Sequence, residues 1–222
     1  MKKIINQFLK LNFRSIFLNF YLLPFWQAVH LPLLFSRKTR ILEIHRGGVQ
    51  LNSNFIKPAM VQIGYKGAGI IDGKYERTIV EVSKNGHLVF NGRCFIGSAS
   101  RLCVHGNLEF GFDVSVTGRS DFICYKNIKI GAKSLISWDC LFMDTDFHKI
   151  YSNSRIINEP KDVSVGEDCW IGCRATILKG SNISKGSVIG AGSIVSGNFE
   201  KENSVYAGNP AKMIKENITW EE

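Results

Sequence analysis

The chain has 222 residues, 45% hydrophobic and 21% charged with 21 glycines, a balance that excludes disorder, collagen and coiled coil and leaves room for one sizeable domain plus an appendage. Its 28 Lys and Arg against 19 Asp and Glu give a net charge of +9, which favours anionic partners (phosphorylated ligands, acidic glycans, nucleic acid or anionic lipid) without choosing among them. The six cysteines form no C-x-x-C pair and read as reduced thiols acting as small hydrophobes rather than as a disulfide or metal framework.

Residues 1–40 form the first unit, a basic and aromatic segment expected to be helical. Lys2, Lys3, Lys10 and Arg14 lead into an apolar stretch from Ile16 to Phe35. Asn19, Gln27 and His30 interrupt it and Pro24 and Pro32 break it, which argues against both a secretory signal and a membrane span. Two readings stay open: residues 1–35 lie on a membrane surface as a peripheral contact, or they pack on the domain or on a neighbouring subunit. Residues 41–87 read as an irregular β cap with turn glycines.

The third unit, residues 88–222, carries a repeat. Aliphatic side chains recur at every sixth position from Val165 through Ile171, Ile177, Ile183 and Ile189 to Val195. Small residues (Ala175, Ser181, Ser187, Ser193) hold a fixed place two before the next aliphatic one, and Ile96-Gly97, Ile130-Gly131 and Val165-Gly166 repeat one signature. A period of six fits neither an α-helix nor an alternating strand, but it fits a short strand and a tight turn, one face of a three-sided prism per hexapeptide. The expected fold is all-β: a parallel β-helix whose coils stack about 4.8 Å apart, with about five coils between Leu88 and Val195. Between Phe142 and Val163 the rhythm stops, so residues 143–162 are expected to leave the coil as a loop, and a long polar loop in a compact domain is usually functional. After AGNPAK (207–212) the chain is expected to end in a short helix.

The run WIGCRATILKGSNISKGSVIGAGSIV followed by AGNPAKMIKE resembles the hexapeptide-repeat O-acetyltransferases, in particular the galactoside, maltose and xenobiotic acetyltransferase group. The first eighty residues are more similar to acetyltransferases of capsule and lipopolysaccharide gene clusters. The resemblance implies a left-handed parallel β-helix, an exception to the usual right-handed crossover, assembled as a homotrimer with sites between subunits and with acetyl-CoA as co-substrate. It implies a sugar or polysaccharide acceptor, no nucleic-acid partner, and a cytoplasmic location that extends to the inner face of the membrane if the N-terminal segment binds lipid. Position by position, His148 falls on the family's catalytic base and Trp170 on its site tryptophan. The coenzyme contacts fall on Cys173, Ala191, Ser196, Lys212 and Lys215, where cysteine replaces a serine and lysines replace arginines.

The chemistry of the residues agrees with that assignment. A sugar hydroxyl is too weakly acidic to attack a thioester unaided, so a neutral imidazole must take its proton. Asp144 or Asp146, four and two residues before His148, could hold the ring in the required tautomer, and a backbone N–H of a coil edge would hold the oxyanion. Where the galactoside enzymes bind sugar with asparagine and aspartate, this chain has Thr117 and Tyr125 or close neighbours, so that specificity does not carry over. Asp139, Tyr125 and Asp121 are the acceptor candidates. Cys169 and Cys173 lack a second ligand pair, so no metal is expected. Two other readings are open: N-acetyl transfer to an amino sugar or amino acid, and a non-catalytic β-helix scaffold or binding protein.

Overall fold

A computed structural model describes residues 11–72 and 74–221. Short strands of two to five residues follow one another around a three-sided coil, each pairing with the strand one coil earlier and one coil later. Three ladders result. The first face holds β1 (Leu33–Phe35), β4 (Val61–Tyr65), β7 (Cys94–Gly97), β10 (Val114–Val116), β13 (Leu135–Ile136), β18 (Trp170–Ile171), β21 (Val188–Ile189) and β24 (Val205–Gly208). The second holds β2 (Arg40–Glu43), β5 (Ile79–Val82), β8 (Arg101–Val104), β11 (Asp121–Cys124), β14 (Leu141–Met143), β19 (Thr176–Leu178) and β22 (Ile194–Val195). The third holds β3 (Val49–Leu51), β6 (His87–Phe90), β9 (Asn107–Phe110), β12 (Asn127–Ile130), β17 (Val163–Val165), β20 (Asn182–Ile183) and β23 (Asn198–Phe199). The fold is a left-handed parallel β-helix.

The hexapeptide period is the register of these ladders. Ile63, Ile96, Val116, Ile136, Ile171, Ile189 and Tyr206 pair in sequence up the first face, and Leu102, Phe122, Phe142, Ile177 and Val195 up the second. All are buried, so the core is a set of columns in which each side chain touches its counterpart one coil away. Phe122 and Phe142 stack with centroids 4.7 Å apart. The Ile-Gly and Val-Gly signature has a steric cause: a Cβ on Gly131 would lie 2.3 Å from the Gly166 backbone of the next coil. Corner serines are buried, and several bond to carbonyls of the neighbouring coil, as Ser134 does to Gly166 (3.1 Å) and Ser181 to Val195 (3.0 Å).

Two boundaries differ from the sequence reading. Residues 41–87 are not an irregular cap: β2 to β6 continue the same three ladders, so the coil begins at Leu33 and completes seven turns. The end expected as a helix is β25 (Ala211–Lys215), antiparallel to β24. It satisfies the N–H and C=O groups that the last parallel strand would leave open, which a helix could not do.

The opposite end is closed by α1 (Phe13–Leu22) and α2 (Phe25–Ala28). Side chains of α1 take the place of a neighbouring strand beside β1. Asn19 receives the Leu33 N–H (3.0 Å) and donates to its carbonyl (2.8 Å), while Ser15 receives the Phe35 N–H (2.9 Å) and donates to that carbonyl (3.1 Å). Gln27 of α2 donates to the Leu51 carbonyl at the edge of the third ladder (2.8 Å). The helix expected in residues 1–40 is thus a cap on the coil, and the expectations for Lys2, Lys3 and Lys10 lie outside the described residues. No helix among the described residues is long and apolar enough to cross a membrane.

Candidate active site

After β14 the chain leaves the corner between the second and third faces and returns at β17. The loop contains a small antiparallel hairpin, β15 (Tyr151–Ser152) with β16 (Arg155–Ile156). Its root is fixed by Asp144, a fully buried carboxylate that accepts the N–H groups of Tyr125 (2.8 Å) and Lys126 (2.7 Å) from the previous coil. Its next turn is fixed by Asp146, which accepts from Lys179 of the following coil and from Asn158 across the loop (3.0 Å). Asn158 also donates to the His148 carbonyl (2.7 Å) and receives the Ile150 N–H (2.6 Å). Those hydrogen bonds from Lys179, and then Asn158, hold the Asp146 carboxyl below the usual carboxylate range.

His148 sits in this clamped segment with its side chain exposed. Neither carboxylate bonds to its ring, contrary to the expectation that Asp144 or Asp146 orients the imidazole. Asp144 is committed to two backbone amides and Asp146 to an ammonium and an amide, so both fix the backbone that carries His148 and leave its tautomer alone. Phe147 packs edge-on against Tyr125 (5.2 Å between centroids), and Tyr125 stacks on His105 (4.4 Å). Tyr125 therefore joins the loop, as an acceptor contact near His148 would have to.

The other two acceptor candidates do not. Asp121 begins β11 and Tyr125 follows its end, so about 13 Å of strand separates them at 3.3 Å per residue. Asp121 faces Arg101 (3.4 Å), with its carboxyl raised chiefly by burial. Asp139, at the same edge of the second face, lies between Arg119 (3.5 Å) and Arg174 (3.8 Å), and Arg119 also binds Glu76 (2.6 Å). These acids belong to an arginine-rich corner between the first and second faces.

Of the positions matched to coenzyme contacts, all but Ser196 lie on the first face or at its corner with the second. Cys173 and Ala191 occupy successive coils at that arginine-rich corner, where the Gly192 N–H donates to the Cys173 carbonyl (2.8 Å). Ser196 is exposed at the corner between the second and third faces, two coils beyond the one from which the His148 loop leaves. On the outer side of the first face, register aligns Leu135, Trp170, Val188, Val205 and Lys215 in one row. Trp170 is 38% exposed and its indole N–H donates to Ser137 (3.1 Å). Lys212 and Lys215 are three apart and would point to opposite sides of a regular strand. A bulge places Lys212 opposite Ala207 and Lys215 opposite Val205, so both ammonium groups come to the outer side.

No family model matches the chain. It is 31% identical over 205 residues to an uncharacterised 24.8 kDa protein in the cps region of Klebsiella pneumoniae, a match that covers 91% of this chain and 87% of the other. Over 95 residues it is 43% identical to a polysialic acid O-acetyltransferase of Neisseria meningitidis, covering 42% of this chain and 44% of that enzyme. Over 135 residues it is 34% identical to a probable acetyltransferase of Mycobacterium tuberculosis, covering 57% and 43%. The chain thus spans less than half the length of these two named acetyltransferases. The crystal structure of the polySia-specific acetyltransferase NeuO superposes with a TM-score of 0.50 at 23% identity, covering 86% of this chain and 79% of that one, which establishes the shared fold. The chain belongs to the hexapeptide-repeat acetyltransferase family.

In this acetyltransferase one group of possible metal donors stands out among the described residues: Glu81, Cys103 and His105, on neighbouring strands of the second face. His105 already bonds to Glu81 (3.2 Å), and burial followed by the Glu81 charge pushes the Cys103 thiol up. This set reads as a satisfied pair beside a protonated thiol. The sequence reading missed Lys179 and Asn158 as the clamps of the loop, because neither lies within residues 144–148, which hold Asp144, Asp146 and His148. Lys179 is the first residue after β19, on the coil that follows the loop.

Proposed function

We propose that this acetyltransferase moves an acetyl group from acetyl-CoA to a hydroxyl of a polysaccharide or its precursor, with His148 as general base. The observation that carries the reading is the extruded loop, which breaks the coil at one corner and holds an exposed imidazole on a backbone clamped by Asp144, Asp146, Asn158 and Lys179. The named relatives that act on polysialic acid, and the relative in a cps region, support a polysaccharide acceptor.

In the reaction the imidazole removes the acceptor proton as its oxygen bonds to the thioester carbonyl carbon. The tetrahedral intermediate then expels the thiolate as the carbon–sulfur bond breaks, and the imidazolium returns its proton to that sulfur. Tyr125, against the loop, is positioned to contact the acceptor. Trp170, Cys173, Ala191 and Ser196 would flank the coenzyme's arm, and Lys212 with Lys215 its 3′-phosphate, as point charges without the bidentate fork of arginine. The His148 loop and the Trp170 row belong to different parts of the prism. A second copy, in a trimer, would bring one chain's loop to another's first face. Incubating the protein with radiolabelled acetyl-CoA and a panel of polysaccharides that includes polysialic acid tests the reading: label on a hydroxyl, lost in His148→Ala, supports it, and thioesterase activity alone refutes it.

A further inference from the structure

The end cap is amphipathic in the inverse sense. Helix α1 turns Ser15 and Asn19 inward, where both are fully buried and bonded to β1, and turns Phe13, Phe17 and Phe20 outward at 84%, 57% and 43% exposure. The face continues onto the second helix with Phe25 (75%), Trp26 (61%) and Val29 (47%). These rings are contiguous: Phe17 stacks on Tyr21 (5.8 Å) and Phe20 meets Phe25 (6.1 Å). A cap that only shielded the coil from water would carry polar residues outside, and a run of exposed aromatics of this size marks an interaction surface.

The charge distribution identifies what covers it. The first forty residues hold seven Lys and Arg and no Asp or Glu. That is seven of the net nine positive charges, in less than a fifth of the chain. An aromatic face on a segment whose sequence is this basic matches a planar anionic surface, where Phe and Trp sit at headgroup depth and Lys and Arg meet lipid phosphate. A second copy of the same face would bring two strongly cationic segments together. We propose that the outer face of the two N-terminal helices docks the protein, coil end first, on an anionic lipid bilayer.

The full-length protein should float with vesicles of phosphatidylcholine and phosphatidylglycerol at low salt. It should bind phosphatidylcholine vesicles far more weakly, and high salt should release it. The exposed triple substitution Phe17→Ser, Phe25→Ser, Trp26→Ser should lower the bound fraction roughly tenfold or more, while its melting temperature and its acetyl transfer to a soluble acceptor stay those of the parent. Trp26→Phe should keep flotation but lose the part of the tryptophan quenching by brominated lipid that belongs to this face. Three outcomes would overturn the proposal: a parent protein that never floats, a triple variant that floats equally well, or a triple variant whose mass in light scattering drops without vesicles present. The last would make the face a protein interface.

Discussion

Asp146 in the extruded loop and Lys179 at the end of β19 form an ion pair that ties the loop to the following coil, with Lys179 also donating to the Asn158 carbonyl at 2.8 Å. Lys179→Met should leave the coil folded but loosen the loop. Turnover should fall roughly tenfold to a hundredfold, as misplacement of a catalytic group by about an ångström does, and protease should cut residues 149–160 sooner. Parent-like turnover would show that the clamp does not position His148.

The pH behaviour of this clamp follows from its sign. The Asp146 carboxyl lies below its ordinary value, so its contribution is complete above the unfolded carboxylate pKa of about 3.9 and is lost only as pH falls through the lower folded value. Limited proteolysis should therefore report an equally closed loop at pH 7 and pH 5. Loop opening already at pH 5 would contradict the ion pair.

Two glycines separate backbone conformation from space. Gly192 has φ +68° with nothing within 4 Å of where a Cβ would lie, whereas a Cβ on Gly131 would meet Gly166 backbone at 2.3 Å. Gly192→Ala should cost about 1 kcal/mol, the left-handed penalty, and Gly131→Ala about 3 kcal/mol, because adjacent coils must separate. Thermal denaturation of the pair checks the order, and a reversed order would mean that the coils are not in this register.

Cys94, Cys124, Cys140 and Cys169 face the core. Burial pushes the thiols of Cys140 and Cys169 up to about 12 and about 11, and those of Cys94 and Cys124 higher still. In the native protein at pH 8 a thiol reagent should find at most Cys103 and Cys173, and in denaturant all six. Fast labelling of more than two would mean that the corners are open.

Because the bulge in β25 brings Lys212 and Lys215 to one side, replacing both with Ala should raise the KM for acetyl-CoA well beyond any change in kcat, as loss of binding remote from the chemistry does. An unchanged KM would remove them from the coenzyme site.

The later coils were legible because aliphatic residues recur at every sixth position from Val165 to Val195 without a slip, and each has its partner one coil away. The first two coils were hidden because the segments between β3 and β4 and between β4 and β5 are long, so Leu51, Val61 and Val80 fall out of step while still stacking in register. The C-terminal segment KMIKEN has no strong strand pattern. It is a strand because β24 offers it an open edge, a tertiary cause that no local reading contains. The placement of His148 in an extruded loop was legible from the break in the period, but the contacts of Asp144 and Asp146 were not, since their partners Tyr125, Lys126 and Lys179 lie on other coils.

In the proposed transfer the exposed imidazole of the loop takes the acceptor's proton, and steady-state transfer by purified His148→Ala, with acetyl-CoA affinity measured alongside, tests this most directly. Turnover should fall by roughly 10² to 10⁴ while the coenzyme still binds, and His148→Gln should not restore it, because neither an amide nor a methyl group accepts a proton at neutral pH. A folded His148→Ala protein that acetylates its acceptor at the parent rate would contradict the claim and place the chemistry elsewhere on the coil.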